Sequence, residues 1–66
     1  MLKIQLNGNQ LMTDARTLED LCHSLGYTDA KIATALNGEF VAERTRRNTV
    51  LTLNDKIEIV SPRQGG

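Results

Sequence analysis

Only one stretch of this sequence carries a helical apolar stripe, and what surrounds it alternates largely with the period of a strand. Leu18, Leu21, Cys22 and Leu25 recur at the three- and four-residue spacing of a single helix face. Thr17, with Asp20 three residues on, is a variant of the capping box at the start of that helix. Gly26 sits where a helix of about nine residues would end in a left-handed cap. Upstream, Leu2, Ile4 and Leu6 alternate with Lys3 and Gln5 as in a half-buried strand. Asn7-Gly8-Asn9 is a turn signal, because Asn and Gly tolerate positive φ, and residues 10–14 read as the return strand.

Downstream, residues 31–37 are apolar and partly β-branched. Asn37-Gly38 is a two-residue turn, and Glu39-Phe40-Val41 begins another strand. Residues 42–48 are polar and irregular, and residues 49–53 are ambiguous between a short bridge and a helical turn. Lys56-Ile57-Glu58-Ile59-Val60 alternates again, and Pro62 ends the ordered region. The order is hairpin, helix, hairpin, final strand. One helix covers only one face of such a sheet, so an α+β roll follows, with the last strand beside the first. The other face stays without a helix and is the natural docking surface. The expected organisation is one domain over residues 1–60 and a flexible tail over residues 61–66.

Size and charge narrow the function. At 66 residues the chain is near the lower limit for folding alone and too small to enclose a deep pocket as well as a core, which argues against a self-sufficient enzyme. Eight basic and eight acidic residues cancel, so no bulk field points to nucleic acid or an anionic membrane. A single cysteine excludes an internal disulfide and suits a reducing cytoplasm. No apolar run approaches the roughly 20 residues of a membrane span. A soluble cytoplasmic domain, monomeric on its own, is the expectation.

The strongest chemical signal is the ending Ser61-Pro62-Arg63-Gln64-Gly65-Gly66. Two glycines bury nothing and add conformational entropy, yet they make the slimmest carboxylate a chain can offer another protein's active site. Extended from Pro62, five residues span roughly 17 Å, enough to thread a narrow channel. Pro62, Arg63, Gln64 and Gly65 are therefore the candidate channel contacts, and the Gly66 carboxylate is the candidate reactive group. A carboxylate is a poor electrophile, so acyl chemistry needs activation such as ATP-dependent adenylation. The sequence holds neither a phosphate-cradling glycine loop nor a metal-ligand cluster, which assigns that chemistry to a partner.

Other candidates offer less. Cys22 and His23 are adjacent, but helix neighbours differ by about 100° and do not face each other. Cys22 belongs to the apolar stripe as a core thiol, and His23 lies off it in solvent. Arg44, Arg46 and Arg47 read as a solvated loop, with steering toward an acidic partner as the alternative. Tyr27 and Phe40 are too few for a base-stacking platform. If Ile57 and Ile59 face the core, Glu58 and Val60 face outward, and with Phe40 they are the candidate docking residues.

The hairpin Ala35-Leu36-Asn37-Gly38-Glu39-Phe40-Val41, the segment Leu53-Asn54-Asp55-Lys56-Ile57-Glu58-Ile59-Val60 and the Ser-Pro-Arg-Gln-Gly-Gly ending resemble the ThiS family. These are sulfur carriers of thiamine thiazole synthesis. The resemblance spans essentially the whole chain and implies a ubiquitin-like β-grasp fold, a mixed sheet of four to five strands with one main helix on one face. Where the family often has Asp-Gly-Asp before the last strand, this chain has Leu53-Asn54-Asp55. Asn54 can take the left-handed conformation that glycine would favour.

The resemblance further implies that a ThiF-type enzyme, using ATP and magnesium, adenylates Gly66. A persulfide donor then converts it to a thiocarboxylate, and a ThiG-type thiazole synthase takes the sulfur. The chain itself binds no cofactor and no metal and has no catalytic residue. The alternatives are a molybdopterin-synthase-type carrier, a ubiquitin-like modifier and a non-catalytic interaction domain.

Overall fold

A computed structural model describes residues 1–27 and 31–61 of the chain. Strands β1 (Leu2–Leu6) and β2 (Asn9–Thr13) form the first hairpin, and helix α1 (Leu18–Ser24) follows. Strands β3 (Ala33–Leu36) and β4 (Glu39–Val41) form the second hairpin. A 3₁₀-helix (Glu43–Asn48) and the final strand β5 (Lys56–Val60) complete the fold. The strands make one mixed sheet in the order β2-β1-β5-β3-β4. The last strand therefore occupies the centre, parallel to β1 and antiparallel to β3. This is the β-grasp arrangement that the resemblance implied, with five strands.

Local chemistry explains the corners. In both hairpins two residues link the strands, Asn7-Gly8 and Asn37-Gly38, with Leu6 opposite Asn9 and Leu36 opposite Glu39. All four linking residues have positive φ, between 49° and 86°, which matches the right-handed twist of the flanking strands. The third sequence expectation of this kind also holds: Asn54 takes φ 67° in the turn before β5.

The helix starts where its cap was expected. The Thr17 hydroxyl accepts a hydrogen bond from the Asp20 amide at 3.1 Å. Gly26, at φ 89°, lies just past its end. The helix is two residues shorter than the expected nine or so, and the stripe loses its last member. Leu25 is the C-cap residue and is 38% exposed, because the chain has left helical geometry there.

The core lies between α1 and one sheet face. Ile4 of β1, Ile57 and Ile59 of β5, and Val41 of β4 pack with Leu18, Leu21, Cys22 and Leu51. Each large aliphatic side chain fully withdrawn from water contributes about 1.5–3 kcal/mol. The ambiguous residues 49–53 resolve as a bridge, with Val50 opposite Thr17. The Leu18 amide donates to the Thr49 carbonyl and the Leu51 amide to the Arg16 carbonyl, each at 2.9 Å. These bonds fasten the segment to the helix entrance and bring Leu51 into the core.

Residues 42–48 are more ordered than their polar composition suggested. The 3₁₀-helix there buries none of its residues, so no apolar period announced it. It is tied down by Arg46, whose Nε donates to Thr34 Oγ1 at 3.0 Å and whose Nη2 donates to the Ile32 carbonyl at 2.8 Å. The solvated-loop reading thus fails for Arg46, which is half-buried and structural, while Arg44 and Arg47 are exposed. Among the described residues no helix is long and apolar enough to cross a membrane.

Candidate functional site

The sheet face opposite α1 has no helix. Pleating sends alternate residues to opposite faces, so the positions between the buried ones on β5 and β3 define this second face. On β5, Ile57 and Ile59 are buried while Lys56, Glu58 and Val60 are exposed, as expected from the sequence. Ala33 is paired with Val60 and Ala35 with Glu58, and Phe40 of β4 is paired with Ala35. Phe40 is 73% exposed and Val60 60% exposed.

The two alanines are the reason a groove forms. Small side chains on β3 leave a trough between the larger Phe40 on one side and Val60 and Glu58 on the other. Its volume is about 500 Å³, and Asn7, Thr34 and Gly38 complete the lining. The surface is mainly apolar with one carboxylate, Glu58, and lies against the C-terminal end of the central strand. The structure therefore brings together the three expected docking residues, Phe40, Glu58 and Val60. Pro62, Arg63, Gln64, Gly65 and Gly66 lie outside the described residues.

The anchoring of β5 is where the sequence reading missed most. Asp55, immediately before the strand, is only 8% exposed. Its Oδ2 accepts from the Thr52 amide at 2.8 Å, and its Oδ1 accepts from Thr52 Oγ1 and Asn37 Nδ2, both at 3.0 Å. Burial by itself would raise its pKa. The hydrogen bonds from the Thr52 amide, the Asn37 carboxamide and the Thr52 hydroxyl outweigh burial and hold the carboxyl below its ordinary value. The same Asn37 side chain accepts from the Lys56 amide at 3.0 Å, so the second hairpin turn clasps the start of β5.

Cys22 is buried, and His23 beside it is exposed, so the structure separates the pair as expected. Burial is the main influence that pushes the thiol pKa up; Arg46 pulls against it and Glu19 adds to it. A thiol held protonated in the core is a poor nucleophile. Among the described residues, no group of three or more His, Cys, Asp or Glu side chains is placed to hold a metal ion.

The sequence model of the ThiS family matches residues 4–66, nearly the entire chain. The chain belongs to the ThiS family. The crystal structure of a thiamine biosynthesis protein, ThiS, from Geobacter metallireducens has the same fold, with a TM-score of 0.80 and 23% sequence identity. The similarity covers 98% of this chain and 100% of that one. At that identity the likeness speaks to the fold, and the family match carries the assignment. No curated protein matches the chain.

Two further anchors of β5 are not legible in the sequence: the asparagine clasps at Asn7 and Asn37. The sequence marks both residues only as turn formers. Their side chains act on β5, at sequence separations of 52 and 19 residues respectively. No local periodicity reports a contact at that range.

Proposed function

We propose that this ThiS-family sulfur carrier of thiamine biosynthesis works through the Gly66 carboxylate, presented from the end of β5. A ThiF-type enzyme supplies ATP and magnesium. The carboxylate oxygen attacks the α-phosphorus, pyrophosphate leaves, and the carboxyl becomes an acyl adenylate. The terminal sulfur of a persulfide donor then attacks the carbonyl carbon and expels AMP. A thiol cleaves the resulting acyl disulfide, taking one sulfur into a new disulfide and leaving a thiocarboxylate on Gly66. Thiazole synthase is the proposed acceptor of that sulfur.

The observation that carries this reading is the reach of the family match, which runs through residue 66 and so includes Gly65 and Gly66. The fold supports it. β5 is hydrogen-bonded on both sides, its end lies beside the apolar groove, and both Phe40 and Val60 are exposed there. A partner that docks on the groove meets the chain as it leaves the sheet. In this reading Pro62, Arg63, Gln64 and Gly65 thread the partner's channel. The absence of side chains at Gly65 and Gly66 lets the carbonyl approach nucleotide and nucleophile closely.

Pyrophosphate exchange tests the first step. With a ThiF-type enzyme, ATP and magnesium, the chain is expected to support exchange of labelled pyrophosphate into ATP, and a Gly66 deletion to support none. Exchange that survives the deletion would place the activated group elsewhere.

A further inference from the structure

β1 is too short to pair with the whole of β5. Their parallel register covers Gln5 with Lys56 and Leu6 with Ile57, and the chain then turns away at Asn7, which has φ 49°. The ladder itself runs one step further, because the Gln5 amide donates to the Asp55 carbonyl and the Asn7 amide to the Ile57 carbonyl, both at 2.9 Å. The next two bonds of a regular parallel ladder would go to the amide and carbonyl of Ile59. β1 has no peptide unit left in position to make them.

The Asn7 side chain makes both. Its Oδ1 accepts from the Ile59 amide at 2.9 Å, and its Nδ2 donates to the Ile59 carbonyl at 3.1 Å. A carboxamide has the same donor and acceptor as a peptide group, so it extends the ladder by one unit. Without it, both peptide groups of a residue only 4% exposed would lose their partners on that side. The last residue of β5, Val60, is paired on the other side with Ala33 of β3. Beyond Asn7, the end of the strand would be held from the β3 side alone.

We propose that the Asn7 carboxamide, standing in for a missing peptide unit of β1, is a positioning residue that fixes the direction in which the chain leaves β5. It thereby sets how often the C-terminal carboxylate reaches the activating enzyme's nucleotide. The second statement rests on the function proposed above, whereas the first concerns the strand alone. Asn37 is the natural control. It too opens an Asn-Gly turn and bonds β5 through its carboxamide, but at Lys56, the end of the strand remote from the tail.

Asn7→Gly and Asn37→Gly each keep the positive φ and delete one clasp. In Asn7→Gly, amide hydrogen exchange at Ile59 is expected to accelerate about thirtyfold, the factor that losing two hydrogen bonds of ordinary net strength implies, and exchange at Val60, which is paired with Ala33 of β3, to accelerate less. Asn37→Gly is expected to leave exchange at those two amides within about twofold of the parent after correction for global stability. In steady-state adenylation with a ThiF-type enzyme, Asn7→Gly is expected to lower kcat several-fold with KM nearly unchanged, and Asn37→Gly to change neither.

Unchanged exchange at Ile59 and Val60 in Asn7→Gly would overturn the proposal, as would equal acceleration in both variants. A rise in KM alone would make Asn7 a docking contact and overturn it too. If the parent protein is not adenylated at all, the proposed function fails, and the exchange comparison still decides whether Asn7 fixes the strand end.

Discussion

Asp55 carries the largest concentration of hydrogen bonds on any one side chain of the β5 anchor, and removing it is a demanding test of how the strand is held. Asp55→Ala deletes the acceptor for the Thr52 amide, the Thr52 hydroxyl and the Asn37 carboxamide. Hydrogen bonds to a charged group contribute about 1.5–3 kcal/mol each, but relief of the buried charge and rehydration of the part-buried donors offset much of the sum. A net loss of about 2–4 kcal/mol follows, which in a domain of this size lowers Tm by about 10–25 °C. Asp55→Asn retains one oxygen and places an amide against the Thr52 N–H, so its loss is expected to be intermediate.

The carboxyl also sets a pH dependence. Its folded pKa lies below the unfolded value of about 3.9, so the unfolded chain binds the proton more readily. The contribution is therefore fully present above the unfolded pKa and is lost as pH falls through the lower, folded one. Thermal and urea unfolding followed by far-UV circular dichroism suit a chain without tryptophan. The gap between parent and Asp55→Asn is expected to be widest near neutrality and to shrink below about pH 4. A loss under about 0.5 kcal/mol for Asp55→Ala at neutral pH would refute the anchoring argument, being no more than an ordinary surface change. A gap to Asp55→Asn that is unchanged in acid would refute the electrostatic part.

Three further outcomes follow from the same packing. Arg46→Ala is expected to cost about 1–3 kcal/mol in urea unfolding through its lost bonds to Thr34 and Ile32, while Arg47→Ala stays within about 0.5 kcal/mol. Cys22→Ser is expected to lower stability by burying a hydroxyl in the core, yet to load sulfur normally in the folded fraction; complete loss of loading in a folded Cys22→Ser protein would reverse its assignment as structural. Phe40→Ser is expected to leave Tm nearly unchanged, because the ring is largely exposed, and to raise KM for a ThiF-type enzyme. An unchanged KM would remove the groove from the docking surface.

Much of the fold was legible because its decisive signals are local. Asn-Gly turns require positive φ at two adjacent residues, and Thr17 needs only the amide three residues ahead, so a short window contains the whole cause. The alternation of β5 likewise marks Ile57 and Ile59 as core, and Glu58 and Val60 as the opposite face. What escaped depends on partners far along the chain. The 3₁₀-helix has no buried residue of its own and is ordered by Arg46 reaching to Ile32 and Thr34. Asn7 and Asn37 were visible as turn residues, but their carboxamides act across 52 and 19 residues. Leu25 shows the opposite error, a correct period extended one residue past the point where the backbone leaves the helix.

For the candidate site, Phe40, Glu58 and Val60 were legible from strand parity, whereas the groove among them depends on Ala33 and Ala35 being small and adjacent to β5. That adjacency is a fact of sheet order. The role proposed for Gly66 rests on chemistry and on family membership.

The most direct test of that role is intact and tandem mass spectrometry after incubation with a ThiF-type enzyme, ATP, magnesium and a persulfide donor. The expected result is the mass gain of one oxygen exchanged for sulfur, localised by fragmentation to Gly66 and absent when Gly66 is deleted. Sulfur found on Cys22, or loading that persists in the deletion, would contradict the account.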